Sequence, residues 1–275
     1  MTVRVRGLTA ADIPAAMRIK EAAGWNQTVD DWSVLLRLAP ETCFGVECEG
    51  ALAATTTAVC YERRLAWIGM VLTDPAHRRR GLGRALMEHA IEALMARQTE
   101  WIKLDATEMG APLYRQLGFE DEGLVERWRA VAPGGVAGTY AGGWPAGCGD
   151  LDRTVFGADR LRLLDALAPW GVAAVAGEGY AMARPGSEAA YFGPCVCGSA
   201  ETARELLGWF LSRHAGEPVY WDLLPENGDA VRLAREFGFE PVRRLVRMVR
   251  RGVGGAVPLT HDALQAFAIA GFEYG

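Results

Sequence analysis

The feature that most constrains the fold is one stretch between Ala66 and Ala96, where an apolar run, a basic turn and an amphipathic pattern follow one another. The apolar run predicts a buried strand. After the turn, Leu82, Leu86, Ala90 and Leu94 recur at the spacing of one helix face. A strand that passes through a short turn into a helix is the unit of α/β folds, so we expect a sheet covered by helices.

The turn itself carries the pattern Arg78-x-x-Gly81-x-Gly83 at the predicted start of the helix. Because glycine has no Cβ, the backbone N–H groups of such a turn can approach a ligand closely. The free N–H groups and the positive end of the helix dipole favour an anion. Charge-assisted donors are available from His77, Arg78, Arg79, Arg80 and Arg84. The sequence therefore predicts a pyrophosphate cradle; a basic turn without a ligand is the alternative.

Two common phosphate motifs do not fit this turn. A P-loop ends in Gly-Lys-Ser/Thr, which does not follow Gly83, and a dinucleotide fingerprint needs a third glycine that Arg84, Ala85 and Leu86 do not supply. The remaining pattern resembles the acetyl-CoA signature of the GNAT acyltransferase superfamily. The preceding segment 71–75 is similar to that family's strand exit, and Gly69 within the strand indicates a bulge or a close backbone approach.

A second motif lies farther along the chain and also resembles the GNAT family. The strand-like run ending in Leu104-Asp105-Ala106 is followed by Leu113-Tyr114 and by Leu117-Gly118-Phe119, a predicted short helix with a glycine stop. The two motifs lie at the distance that the GNAT fold requires. The resemblance covers residues 1 to about 130.

Composition and charge restrict the remaining function classes. Half of the 275 residues are hydrophobic and 23% are charged, which predicts a folded core, and the length predicts two domains or one large one. A net charge of −5 argues against nucleic-acid binding. No apolar run reaches the length of a membrane span, and we expect no membrane partner. The six cysteines lack the spacing of a metal site, so we expect reduced thiols, no metal and a cytoplasmic protein.

The chain also contains an internal repeat. Residues 113–120 align with residues 233–240, and the strand-to-helix passage 195–204 corresponds to the phosphate cradle. Where the cradle has Arg-Arg-Arg-Gly-Leu-Gly, residues 197–202 contain no arginine and include Glu201. The Gly-, Ala- and Pro-rich stretch 132–149 marks a boundary. We expect an α/β (α+β) fold of two tandem GNAT-like domains, each a mixed, mostly antiparallel twisted sheet flanked by helices. Residues 1–131 would form the acetyl-CoA-binding domain and residues 132–275 a degenerate copy.

The resemblance implies an acetyl-CoA-dependent N-acetyltransferase that transfers the acetyl group to a primary amine by direct attack in a ternary complex. It assigns the coenzyme to Val71, Leu72, Thr73, Arg78, Arg79, Arg80, Gly81, Leu82, Gly83 and Arg84. Tyr114 corresponds to the family's general acid. Asp105 is the candidate general base; Glu108, a relay through water and simple helix capping are the alternatives.

The acceptor is expected to be a small-molecule, aminoacyl or peptidyl amine. Candidate acceptor contacts from the first half are Trp25, Asn26 and Trp32, and those from the second half are Arg184, Asp222 and Asn227. Core packing of the tryptophans and helix capping by the polar residues are the structural alternatives. A non-catalytic acyl-CoA sensor is the alternative function, and the chain is expected to act as a monomer or a homodimer.

Overall fold

The computed structural model describes residues 4–133, 141–142, 148–175, 179–255 and 257–275. The chain forms two compact units. The first contains residues 1–121, 248–257 and 274, and the second contains residues 122–247, 258–273 and 275. The mixed α/β architecture with mostly antiparallel strands confirms the predicted fold class. The domain boundary at 131/132 stays a prediction, and most of the stretch 132–149 lies outside the described residues.

The first unit begins with a short strand and two helices and continues as a sheet around one long helix. In chain order, its elements are β1 (Arg4–Gly7), α1 (Ile13–Ala22), α2 (Val29–Leu38), β2 (Phe44–Cys48), β3 (Ala51–Tyr61), β4 (Leu65–Thr73), α3 (Leu82–Ala96), β5 (Trp101–Ala106) and α4 (Ala111–Gln116). Single 3₁₀ turns span Ala10–Asp12 and Pro75–His77.

The sheet of this unit has the order β1-β2-β3-β4-β5. Its strands are antiparallel except for β4 and β5, which run parallel. The β2–β3 hairpin turns at Glu49 and Gly50, which both have positive φ, as a two-residue hairpin loop of type I′ requires. Helix α3 packs its apolar face on β2 and β3 through Leu82, Leu86 and Ala90. That packing holds the start of α3 beside the end of β4.

The second unit repeats this plan. In chain order, its elements are β6 (Glu120–Val131), β7 (Ala141–Gly142), α5 (Cys148–Phe156), α6 (Leu161–Leu167), β8 (Val172–Val175), β9 (Gly179–Arg184), β10 (Ala190–Cys197), α7 (Ala200–Arg213), β11 (Pro218–Leu223), α8 (Gly228–Glu236), β12 (Glu240–Arg251) and β13 (Ala266–Ala268). Residues 120–121 at the start of β6 and residues 248–251 at the end of β12 belong to the first unit.

Strands β6, β11, β10, β9, β8 and β7 are neighbours in that order, and β13 pairs with β10. The parallel pair is β10 with β11. Helix α7 contributes Leu206, Leu207 and Phe210 to a core that also contains Phe192 and Trp221. Among the described residues, no helix is both long and apolar enough to cross a membrane.

The aligned helix ends confirm the internal repeat at the level of the backbone. Gly118 has φ +83° after α4 and Gly238 has φ +77° after α8. The next residue closes each helix in the same way, with Phe119 N donating to Tyr114 O at 3.0 Å and Phe239 N to Ala234 O at 2.9 Å. The same glycine stop therefore directs the chain into the next strand in both copies.

Candidate active site

The candidate site lies where β4 and β5 separate. Their parallel register runs from Leu65↔Trp101 to Trp67↔Lys103 and includes only three residue pairs, although both strands continue beyond it. Because the strands are parallel, their carboxyl ends open toward the same edge of the sheet. The opening leaves backbone groups of β4 without a partner on β5, and a ligand can bind there.

A bulge in β4 coincides with this opening. The register with β3 passes from Thr57↔Gly69 to Thr55↔Leu72, so that β4 contains one residue more than β3 across the interval. Met70 has φ +49°, a left-handed conformation that is strained for a side chain of this size. The hydroxyl of Thr55 donates to Met70 O at 2.8 Å and holds the bulge in place.

The hydrogen bonds at the end of β4 decide which backbone groups face the opening. Asp74 N donates to Ala53 O at 2.9 Å, which makes Thr73 and Ala54 a non-hydrogen-bonded pair of the antiparallel ladder. The N–H and C=O groups of Thr73 consequently point away from β3 and toward the separated β5. By the alternation of the strand, those of Val71 face the same side, whereas those of Leu72 face β3.

The turn after β4 is shaped by one carboxylate and one glycine. Asp74 Oδ1 accepts from Ala76 N at 2.8 Å and caps the 3₁₀ turn. Gly81 has φ +77° at the N-cap of α3, and a Cβ built there would meet no atom within 4 Å. A Cβ at Gly83 would come within 3.7 Å of Thr73 Oγ1 alone. The backbone at the start of α3 therefore has open space beside it, as a bound diphosphate requires.

The basic residues around the turn are not equivalent. Arg78, Arg79 and Arg80 are exposed. Arg84 is directed along the helix surface instead, where it donates to Gln116 and lies 3.7 Å from Glu88. Leu82 is buried under the turn, where it anchors α3 rather than contacting solvent.

Tyr114 lies on α4, close to the carboxyl end of β5. Its ring is buried and packs edge-on against Phe119 with centroids 6.2 Å apart. Burial raises the pKa of Tyr114 above its ordinary value. A Cβ at Gly110 would lie 2.9 Å from the ring and 3.3 Å from the hydroxyl oxygen, so this glycine leaves the space that the phenol occupies. Asp105 lies half-buried on β5, one residue before its end.

The acceptor candidates of the first unit follow α1. Trp25 is partly exposed, whereas Asn26 is 6% exposed and Trp32, on α2, is fully buried. Helices α1 and α2 both pack on β3. Two hydroxyls of β3, those of Thr56 and Thr57, are buried and have no hydrogen-bond partner among the described residues, and the same holds for Trp32 Nε1.

The acceptor candidates of the second half occupy structural positions in the second unit. Asp222 accepts two hydrogen bonds from Arg127, at 2.8 and 2.7 Å, with both side chains buried. Arg184 pairs with Glu273 at 2.8 Å. Asn227 Oδ1 accepts from Ala230 N at 3.0 Å and caps α8, which is the structural alternative for this residue. All three side chains belong to the second unit.

The passage from β10 to α7, which corresponds to the cradle, lacks its chemistry. Ser199 caps α7 by accepting from Thr202 N at 3.2 Å, and Glu201 lies in the first turn of the helix. A carboxylate at this position repels phosphate. Among the residues that the structure describes, no group of His, Cys, Asp and Glu side chains is arranged to hold a metal ion.

Sequence reasoning missed the side chain that holds the bulge at the opening, the hydroxyl of Thr55. Thr55, Thr56 and Thr57 form a polar run inside an otherwise apolar strand, and that run was the available signal. Gly69 indicated the bulge, but the left-handed residue is its neighbour Met70. Gly110 carries no local signal, since its role depends on the ring of Tyr114.

Comparison with known proteins agrees with this description. Two family models, both described as acetyltransferase (GNAT) domains, match residues 39–121 and residues 149–262. A [ribosomal protein bS18]-alanine N-acetyltransferase of Salmonella typhimurium is 32% identical over 139 residues, which cover 46% of this chain and 87% of that protein. The corresponding protein of Escherichia coli K12 is 32% identical over 137 residues, 47% of this chain and 89% of its own.

Solved structures match the fold along the chain. A putative acetyltransferase from Pyrococcus horikoshii superposes with a TM-score of 0.88 at 22% identity, over 99% of this chain and 96% of that one. A tandem GNAT protein from the clavulanic acid biosynthesis pathway superposes with a TM-score of 0.63 at 16% identity, over 91% of this chain and 98% of that one. At these identities the likeness concerns the fold.

Proposed function

Since the chain belongs to the GNAT acetyltransferase family and contains two such domains, we propose that it transfers the acetyl group of acetyl-CoA to the α-amino group of a protein or peptide. The observation that carries the proposal is the opening between β4 and β5 after Trp67↔Lys103, with the bulge at Met70 inside it and the glycine turn at its mouth. In the described part of the first unit, this opening lies beside the exposed Arg78, Arg79 and Arg80.

The residues present fit the co-substrate. The open backbone at Gly81 and Gly83 and the exposed guanidinium groups of Arg78, Arg79 and Arg80 suit its diphosphate and its third phosphate. The outward N–H and C=O groups of Val71 and Thr73 suit the amide-containing arm. An N–H donor directed at the thioester carbonyl would stabilise the negative charge that develops on its oxygen during attack.

We assign to Tyr114 the role of hydrogen-bond donor to the leaving sulfur. Its raised pKa keeps the phenol protonated at neutral and moderately alkaline pH. Since a thiol has a pKa near 8.5, the thiolate is already a fair leaving group. A hydrogen bond from the phenol to the departing sulfur therefore supplies useful stabilisation in a buried setting without complete proton transfer.

An α-amino acceptor suits a site in which Asp105 is the candidate base. An α-amino group has a pKa near 8, so its deprotonation at neutral pH costs about 1 kcal/mol, against about 4–5 kcal/mol for a lysine side chain. One half-buried carboxylate, directly or through water, is a sufficient proton acceptor for the smaller cost. The relatives' names state that they acetylate an alanine of a ribosomal protein, which also supports a polypeptide amine.

The test is an assay of the purified full chain with acetyl-CoA and peptides. One peptide carries a free N-terminal alanine, and its partner has the same sequence with a blocked N-terminus and one internal lysine. We expect thiol release and a single acetyl group on the α-amine of the first peptide by mass spectrometry. Tight binding of acetyl-CoA without turnover on either peptide or on small amines would instead support an acyl-CoA sensor.

A further inference from the structure

The second unit has a parallel strand pair that separates like β4 and β5, but its opening is filled. Strands β10 and β11 pair from Ala190↔Val219 to Phe192↔Trp221 and then part. Beyond that point β10 pairs with β13 of the same unit, with Cys195 opposite Ala268 and Val196 opposite Ala266. Strand β13 also contacts β11 and thus lies between the two separated strands.

Side chains of the second unit bind the main chain of residues 264–270, the segment that contains β13. Trp221 Nε1 donates to Phe267 O at 2.7 Å, and the Tyr191 hydroxyl donates to Ile269 O at 3.1 Å. Further side-chain donors reach carbonyl oxygens on either side: Asn227 Nδ2 to Leu264 O at 2.9 Å and to Ala266 O at 3.3 Å, and Arg184 Nη1 to Ala270 O. Backbone bonds add to these, with Cys197 N donating to Gln265 O at 3.1 Å and Ile269 N to Asp222 O at 3.0 Å.

These donors form hydrogen bonds to one backbone oxygen after another along the segment, which is how proteins bind an extended polypeptide. The segment is enclosed as well as hydrogen-bonded. Phe267, Ala268, Ile269 and Ala270 are each less than 5% exposed, and Phe267 packs in the main core of the unit. A Cβ on Gly193 would lie 2.2 Å from Ile269 O, so the cleft wall is shaped to the segment. The segment therefore lies inside a binding site and not on the surface of the unit.

We propose that the opening in the second repeat has become a polypeptide-binding cleft, with residues 264–270 as its occupant. They lie where the repeat symmetry would place a coenzyme arm. That comparison with a coenzyme arm rests on the proposed function of the first unit, whereas the hydrogen bonds to the segment do not. The second copy is thereby closed to acetyl-CoA both by Glu201 in its turn and by a strand in its opening.

The test uses the full chain with a protease recognition sequence inserted between Val257 and Pro258, two exposed residues. After cleavage, we expect the fragment 258–275 to stay with the protein through gel filtration. A labelled synthetic copy of the fragment should exchange into the complex slowly. An unrelated peptide of equal length should not bind.

Two tyrosine substitutions provide a matched comparison. Tyr191→Phe removes the donor to Ile269 O, whereas Tyr220→Phe removes a hydroxyl that contacts Glu188 at 3.3 Å. We expect Tyr191→Phe to weaken retention of the labelled peptide about fivefold to tenfold and Tyr220→Phe to leave it unchanged. Equal retention in the two variants, or immediate loss of the fragment from a cleaved protein that remains folded, would overturn the proposal.

Amide hydrogen exchange on the uncut chain gives a second measurement, should cleavage unfold the protein. Protection at residues 265–270 should fall in Tyr191→Phe and not in Tyr220→Phe, and exchange within β4 and α3 should be the same in both. Unchanged protection in Tyr191→Phe would contradict the proposal. Because neither measurement uses acetyl-CoA, an inactive chain that retains its fragment would refute only the proposed acetyl transfer.

Discussion

Thr55 and Met70 face each other across β3 and β4, and the Thr55 hydroxyl donates to Met70 O at 2.8 Å. Met70 is the left-handed residue of the bulge, so this side chain satisfies a carbonyl that the bulge takes out of the sheet ladder. The bond links the strand that we expect to bind the co-substrate with the strand that carries the buried hydroxyls of Thr56 and Thr57. The shape of the site thus depends on a hydrogen bond between two uncharged residues.

Thr55→Val removes that hydroxyl while keeping the branched shape. We expect a loss of about 1–2 kcal/mol in the free energy of unfolding and a severalfold weaker binding of acetyl-CoA, because the bulge relaxes. Thr42→Val is the matched control. The buried Thr42 hydroxyl donates to Ala58 O at 2.5 Å, and this hydrogen bond lies outside the bulge. Denaturant unfolding and calorimetry should show a similar stability loss in the control with unchanged affinity. Equal affinities in both variants would refute this role of Thr55.

Gly110→Ala tests the placement of Tyr114. The new methyl group would lie 2.9 Å from the ring, whereas the backbone of Gly110, with φ −84°, accepts alanine. We expect kcat to fall about tenfold, and about 100-fold in Tyr114→Phe. In the double variant Gly110→Ala should add little to the effect of Tyr114→Phe, because both changes remove the same interaction. Fully multiplicative effects on kcat would show that Gly110 acts elsewhere.

Arg78→Ala and Arg84→Ala should differ. Arg78 is exposed beside the turn, whereas Arg84 already bonds to Gln116 and lies near Glu88. We expect the Kd for acetyl-CoA to rise about tenfold in Arg78→Ala and less than about twofold in Arg84→Ala, as measured by calorimetry. The Arg78 effect should shrink at high salt. The reverse ranking would place the diphosphate on the outer face of α3.

The pH dependence should follow the acceptor and not Tyr114. Burial raises the pKa of Tyr114, so the phenol stays protonated as the pH rises through the assay range and causes no loss of rate. Raising the pH deprotonates the acceptor, so kcat/KM should increase and level off above a pKa near 8 for an α-amino group. Tyr114→Phe should lower the plateau without moving its midpoint. A descending limb between about pH 8 and 9 that disappears in Tyr114→Phe would contradict this assignment.

The parts of the fold that were predicted correctly depend on local patterns. The run from Ala66 to Ala96 contains its own strand, turn and helix signals, and the structure places β4 and α3 there. The glycine stops at Gly118 and Gly238 revealed the repeat because each ends a helix by its own conformation. Such signals need no knowledge of distant residues.

The parts that could not be predicted depend on partners far away in sequence. Nothing near Asp222 indicates its pairing with Arg127, 95 positions earlier, or the insertion of β13 beside its strand. Gly69 indicated a bulge, but the left-handed conformation of its neighbour Met70 depends on Thr55 and on the register of two strands. The acceptor candidates present the same difficulty, because the sequence does not distinguish a buried polar residue that binds a ligand from one that binds an internal partner.

The most direct measurement is a calorimetric titration of the full chain with acetyl-CoA, compared between two glycine variants. Gly81→Val and Gly238→Val both place a branched residue at φ +77° with no atom within 4 Å of the new Cβ, so their backbone strain is alike, but only Gly81 lies in the cradle. We predict one equivalent bound per chain in the wild type and in Gly238→Val, and binding at least tenfold weaker in Gly81→Val. Binding of two equivalents, no binding by the wild type, or unchanged affinity in Gly81→Val would contradict the account.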